Sequence, residues 1–124
     1  MNLDQIKNFG ELFVESMNSY GERPVLQWKE GMEYKSVNAK RLIELVDNLS
    51  ETIEKMGFSA FDKAAIISEN RYEWVVADFA CIFSRIITVP IYTTMTAEQI
   101  EYILRHSEAR LCFVSSSLML EKVI

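Results

Sequence analysis

Three short polar segments carry the hydroxyls and carboxylates best suited to chemistry: Ser68-Glu69-Asn70, Tyr92-Thr93-Thr94-Met95-Thr96 and Ser115-Ser116-Ser117. Each follows an apolar run and precedes a helical pattern, so each lies where a strand hands over to a helix N-terminus. Such ends attract anions, because their backbone N–H groups lack partners and the helix dipole is positive there. The same residues serve equally as plain helix caps, since Asn, Thr and Ser are good N-cap types. The carboxylates Glu69, Glu73 and Asp78 have no sequence-visible partner for general acid–base work. Glu69 acts as a base only if it points into a cleft; otherwise it is a solvated loop carboxylate. Asp78, inside an apolar helical run, needs Arg85 or Arg71, one or two turns away, or a place on a wet stripe. Cys81 and Cys112 sit in apolar runs and read as buried, reduced thiols. His106, the single histidine, reads as a surface residue near a helix C-terminus. With no nucleophile–base pair, metal-ligand spacing or phosphate loop in view, no catalytic, cofactor-binding or metal-binding residue is assigned.

The elements that must hold these segments fall into two parts, residues 1–58 and 59–124. In the first, Asn8 and Glu11 have capping-box spacing, and Phe9, Leu12, Phe13 and Met17 recur at helical intervals up to Gly21. Val25 to Lys29 and Met32 to Ser36 flank Glu30-Gly31 and read as a β-hairpin, with Leu26 and Trp28 on the buried face. Ala39, Leu42, Val46, Leu49, Ile53 and Met56 form the apolar stripe of a long amphipathic helix, capped by Ser36 and closed by Gly57.

The second part is more regular. Lys63 to Ser68 is a short apolar run, the mark of a strand buried on both faces. Asn70 and Glu73 have capping-box spacing ahead of Tyr72 to Phe83, a segment apolar almost all round and therefore a largely buried helix. Ile86 to Ile91 is a strand weakened by Pro90. Thr96 and Gln99 open a helix with Ile100, Ile103 and Leu104 on one face. Arg110 to Val114 is a third strand, and a further helix runs from Leu118 to Ile124. The strands start 23 and 24 residues apart with one helix between each pair. This is an α/β chain ending in a βαβαβ parallel-sheet unit with right-handed crossovers. The last helix is only about two turns long, so the chain is expected to be the front of a longer protein.

Composition narrows the function classes. The chain has 124 residues, 49 % of them hydrophobic, enough for the core of one domain. Thirteen Lys and Arg against 18 Asp and Glu give a net charge of −5, which argues against a nucleic-acid partner. All four glycines, Gly10, Gly21, Gly31 and Gly57, precede residue 58. No glycine-rich phosphate cradle can therefore form in the second part. No apolar run approaches the ~18 residues of a membrane span, the cysteines fit no disulfide framework, and a cytoplasmic location is expected.

Longer strings add a resemblance. Ile66-Ile67-Ser68-Glu69-Asn70-Arg71-Tyr72-Glu73-Trp74-Val75-Val76-Ala77-Asp78 resembles the "ISENRPEWVIAD" stretch of AMP-forming long-chain fatty acid–CoA ligases. Residues 88–109, from Thr88-Val89-Pro90-Ile91-Tyr92 through Glu98-Gln99-Ile100 to His106-Ser107-Glu108-Ala109, resemble their "TVPIYPTLTPEQIAYILNHSEA" stretch. Phe9-Gly10-Glu11-Leu12-Phe13 and Tyr20-Gly21-Glu22-Arg23-Pro24 resemble the opening of that family. The resemblance implies part of the large N-terminal domain of an adenylate-forming enzyme, a scaffold inactive by itself. It implies a reaction of fatty acid, ATP and CoA, with Mg²⁺, in the full-length protein, through residues that lie beyond this chain. It also implies the remainder of the enzyme as partner, a homodimer contact through the extreme N-terminus in some members, and peripheral membrane contact. The alternatives are a stand-alone α/β binding or interaction module, and a flavodoxin-like receiver or flavin carrier, which fits the βαβ pattern alone. Family members carry Gly-Asp at Phe61-Asp62, Gly-Ala at Arg85-Ile86, and Pro at the positions of Thr93 and Ala97. The turns around residues 60 and 85 are therefore expected to be strained or altered.

Overall fold

A computed structural model describes residues 2–124. After a 3₁₀ turn at Leu3–Gln5, the order is α1 (Phe9–Tyr20), β1 (Pro24–Glu30), β2 (Glu33–Asn38), α2 (Ala39–Lys55), β3 (Lys63–Ile67), α3 (Tyr72–Phe83), β4 (Ile87–Ile91), α4 (Ala97–Ser107), β5 (Leu111–Val114) and α5 (Ser117–Val123). β1 and β2 form an antiparallel hairpin, and β3, β4 and β5 form a parallel sheet in the order β4-β3-β5.

That order makes β3 the central strand, and its alternation sorts the core into two layers. Ala64 packs with α1, α2, α3 and the hairpin, around Phe13, Leu42, Val46, Ile53 and Ala80. Ala65 and Ile67 face the other way, onto Ile100 of α4 and Met119 of α5. The first strand at the centre, with successive strands added on either side, puts the two crossover helices on opposite faces. Pro90 is accommodated because β4 is an edge strand, where a residue lacking an N–H costs least. Every residue of α3 is buried or half-buried, as its all-round apolar sequence requires. Trp28 of the hairpin stacks on Tyr72 at 4.8 Å, which fixes the hairpin against the start of that helix.

Several local expectations are corrected. Phe9 is exposed, and the inward face of α1 is Gly10 and Phe13. Asn8 caps α1, but the Glu11 carboxylate takes the N–H of Lys7, one residue beyond the capping-box position. The hairpin turn is Gly31-Met32, because Glu30 already pairs with Glu33. β2 then continues past Ser36, and Asn38 caps α2 through the Arg41 N–H at 2.8 Å. Ser50 joins the buried stripe of α2, bonded to the Ser84 hydroxyl at 3.0 Å, while Met56 is exposed. Asn70 and Glu73 make no capping box: Arg71 is the N-cap residue of α3 and makes no side-chain cap. Glu73 instead takes the Arg71 guanidinium through two oxygens, at 2.8 and 2.9 Å. Thr96 and Gln99 do form a complete box.

The two doubtful turns keep their left-handed backbone without glycine. Phe61 has φ 69° and Arg85 φ 62°. α3 closes with Ile86 N–H bonded to the Cys81 carbonyl at 2.8 Å, the six-to-one bond of a Schellman ending, with Arg85 where glycine is usual.

Candidate functional site

The sheet order decides which polar segments meet. The chain leaves β3 for α3 on one face and leaves β5 for α5 on the other. The crevice between the carboxyl ends of β3 and β5 is therefore the topological switch point, where open α/β sheets bind ligands. A cleft of about 420 Å³ lies there. Leu49, Ile66, Trp74 and Phe113 give it apolar walls, and Ser68, Arg71, Glu73 and Ser115 supply polar groups.

Backbone bonds tie the crevice together. Ser115 N–H donates to the Ile67 carbonyl at 3.1 Å, extending the β3–β5 ladder by one bond. Arg71 Nη1 reaches the Ser115 carbonyl at 3.4 Å. Among the described residues, the buried Ser115 hydroxyl meets no partner with hydrogen-bond geometry; it lies toward Glu69 and is the main cause holding that exposed carboxyl below its ordinary range. Glu73 is also held low, by its bonds to Arg71, and Arg71 is held correspondingly high. The ion pair is half-exposed and so orients the guanidinium more than it stabilises the fold.

The structure thus brings Ser68, Glu69 and Ser115 together and leaves the third segment apart. Tyr92 to Thr96 lies beyond β4, and α5 ties it down: Lys122 Nζ donates to the Thr93 carbonyl at 3.0 Å and the Met95 carbonyl at 3.1 Å. Asn70 is exposed, and Ser116 is the cap of α5, bonded to the Met119 N–H. Asp78 finds neither arginine. It accepts the Thr88 hydroxyl at 2.8 Å, across the α3–β4 interface. Cys81 is fully buried, and burial pushes its thiol up to about 12; Cys112 is raised for the same reason. His106 is exposed and stacks on Tyr102. Trp74 and Phe113 as cleft walls, and Lys122 as a loop anchor, are not visible in the sequence, because each role depends on which strands are neighbours.

Chemically, the crevice can hold an apolar group with a polar end. It does not fit a nucleotide phosphate chain. Gly10 lies in α1 with its Cα facing Phe83, and Gly21, Gly31 and Gly57 lie at turns and helix ends, so no glycine backbone lines the carboxyl ends of the sheet. Among the described residues, no three His, Cys, Asp or Glu side chains converge to hold a metal ion.

The family model described as "AMP-binding enzyme" matches residues 13–124. A long-chain-fatty-acid–CoA ligase, ACSBG2 of Xenopus laevis, is 30 % identical over 114 residues, covering 92 % of this chain and 15 % of the relative. The ligase FadD15 of Mycobacterium bovis is 43 % identical over 61 residues, 49 % of this chain and 10 % of the relative. The chain thus spans a small fraction of the curated relatives it matches. Among solved structures, the A-PCP didomain of carboxylic acid reductase from Segniliparus rugosus, in complex with AMP, superposes with a TM-score of 0.85. That match is at 15 % identity and covers 97 % of this chain and 19 % of that one, so it supports the fold alone.

Proposed function

The chain belongs to the AMP-binding enzyme family, and from that premise we propose that it forms the N-terminal scaffold of an ATP-dependent long-chain fatty acid–CoA ligase. The observation that carries the reading is the 30 % identity to such a ligase across 92 % of the chain. In the proposed reaction, fatty acid and ATP give an acyl-adenylate and pyrophosphate, and the CoA thiol then displaces AMP. Mg²⁺ would accompany ATP at residues outside this chain, because none of the polar segments here offers a phosphate cradle. The contribution of these residues is mechanical. They lay down three parallel strands, cover both faces, and hold the crevice of Ser68, Arg71 and Ser115 open at the carboxyl end. Parts 1–58 and 59–124 are read as pieces of one larger domain. We place the protein in the cytoplasm, in keeping with its two reduced cysteines. A contact with the membrane surface that delivers the fatty acid belongs to the same proposal.

The test is a chimera in which residues 13–124 replace the matching segment of a long-chain ligase. Palmitate-dependent AMP release with ATP, Mg²⁺ and CoA is expected. A chimera that melts cooperatively yet releases no AMP overturns the reading. AMP release by the 124-residue chain alone overturns its scaffold part.

A further inference from the structure

Among the described residues, the parallel sheet ends on each side in a strand with one neighbour, β4 on one side of β3 and β5 on the other. Such edges present unpaired N–H and C=O groups, and proteins either block or cover them. The two edges here are built differently, and the central strand shows which way each backbone group points. The carbonyls of Lys63 and Ile67 accept from the N–H groups of Arg110 and Ser115, whereas the Asp62 carbonyl accepts from Ile87. Odd-numbered residues of β3 therefore bond toward β5 and even-numbered ones toward β4.

On β4, alternation from Ile87 turns the backbone groups of Thr88 and Pro90 outward. Pro90 has no N–H to give, so β4 offers a broken ladder to any further strand, a common way of closing an edge. On β5, alternation back from Ser115 turns the N–H and C=O groups of Cys112 and Val114 outward. Leu111 to Val114 contains no proline, glycine or charged residue, so nothing blocks this edge. Neither face of β5 is bare: Leu111 and Phe113 pack into one core layer, Cys112 and Val114 into the other. An uncharged apolar strand covered on both faces is built as an interior strand of a parallel sheet. The helix that follows it is covered on one side only. Met119 and Val123 of α5 pack into the core, while Leu118 and Leu120 are exposed.

We propose that the β5 edge is the seat of a further strand supplied by the remainder of the enzyme, and that the β4 edge stays closed. The occupant rests on the ligase reading: the match to the Xenopus laevis ligase covers 15 % of that protein, so most of such an enzyme lies outside these residues. Attachment is by main chain, through the outward groups of Cys112 and Val114, and the exposed side of α5 lies beside it. The crevice depends on the same strand. Phe113 and Ser115 form its wall on the β5 side, and a strand bonded to the outer side of β5 holds that wall in place.

Amide hydrogen exchange tests it, in the 124-residue chain and in the chimera carrying residues 13–124. In the chain alone, the outward amides of Thr88, Cys112 and Val114 are expected to exchange faster than the inward amide of Phe113. In the chimera, Cys112 and Val114 are expected to slow on the order of a hundred-fold or more, and Thr88 to stay fast. Val114→Pro removes an outward N–H and no bond to β3, so its thermal midpoint is expected to fall further in the chimera than in the chain alone. A folded chimera in which Cys112 and Val114 stay fast overturns the proposal, and so does one in which Thr88 slows with them. Equal falls for Val114→Pro in both settings count against it in the same way. Slowing in the chain alone that grows with its concentration gives the edge to a second copy and also overturns it. The ligase reading fails separately. AMP release with both amides fast keeps that reading and loses the strand; protected amides without AMP release keep the strand and lose the ligase.

Discussion

The backbone N–H of Phe61 donates to the carbonyl of Arg85 at 2.8 Å, joining two left-handed residues, neither of them glycine. The bond closes the turn ahead of β3 onto the turn ahead of β4, so the sheet's first ladder begins one bond before its first strand pair. Left-handed backbone costs an L-residue about 1–2 kcal/mol. Arg85→Gly relieves that cost but gives back ~0.5–1 kcal/mol in unfolded-chain entropy, together with a weak exposed cation–π contact. The expected net gain is up to about 1 kcal/mol, a few degrees in thermal midpoint for a domain of this size. Arg85→Ala keeps the left-handed cost and is expected to gain nothing. Thermal melts of the two variants check this, and a lower midpoint for Arg85→Gly than for Arg85→Ala would exclude strain as the cause.

The Thr88–Asp78 bond gives a second expectation. Both side chains are half-buried, and the hydroxyl is the hydrogen-bond donor to the carboxylate. Thr88→Val keeps the shape and removes the donor, at a cost of about 1–3 kcal/mol. Asp78→Leu together with Thr88→Val removes both polar groups and should recover much of that loss. Chemical denaturation of the two singles and the double yields a coupling energy. Coupling near zero would mean that water already satisfies Asp78.

Asp78 also marks how far the sequence could be read. Helix and strand positions in the second part were legible because burial on both faces leaves unbroken apolar runs, as at Ala64 to Ile67. Parallel pairing followed from spacing alone. The partner of Asp78 was not legible: sequence distance favours Arg85 and Arg71, yet Thr88 is brought opposite only when β4 packs beside α3. The hairpin turn slipped by one residue because Glu30-Gly31 and Gly31-Met32 both place Gly31 in a two-residue loop, and cross-strand pairing selects between them. Of the crevice, Ser68 and Ser115 were legible as strand ends, but their adjacency required the order β4-β3-β5. The family resemblance marks the strained turns at Phe61 and Arg85, but the bond that joins them depends on β3 and β4 being neighbours.

The buried thiol of Cys81 sets a pH dependence. Burial is the main cause that raises it from its ordinary 9.0 to about 12, with the Asp78 charge adding to the effect. Between those values the unfolded chain releases a proton that the folded chain keeps. Stability from this group is therefore intact below pH 9 and falls as pH rises toward 12. Because tyrosines and lysines also titrate there, the informative quantity is the difference between wild type and Cys81→Ala. That difference should shrink as pH rises from 9 to 11. A constant difference would show that the thiol ionises alike in both states. At pH 8 the folded chain should also resist thiol alkylation at Cys81, and denaturant should abolish that resistance.

Lys122 gives the last expectation, and it concerns the segment that the crevice leaves out. Its ammonium donates to the Thr93 and Met95 carbonyls, and its stem is part of a half-buried side chain in the last turn of α5. Hydrogen bonds to a charged group contribute about 1.5–3 kcal/mol. Here the two bonds hold a loop that otherwise has, among the described residues, the Met95 N–H to Tyr92 carbonyl bond, at 3.2 Å, before the Thr96 capping box begins. Lys122→Met keeps the apolar stem and removes the charge, separating anchoring from packing. Hydrogen exchange should quicken at residues 92–96 and in α5, with little change in β3 and α3. If exchange quickened evenly across the chain, the lysine would be stabilising the whole fold. If it did not change at all, the loop would be held by its own turn and by the capping box, and α5 would merely lie beside it.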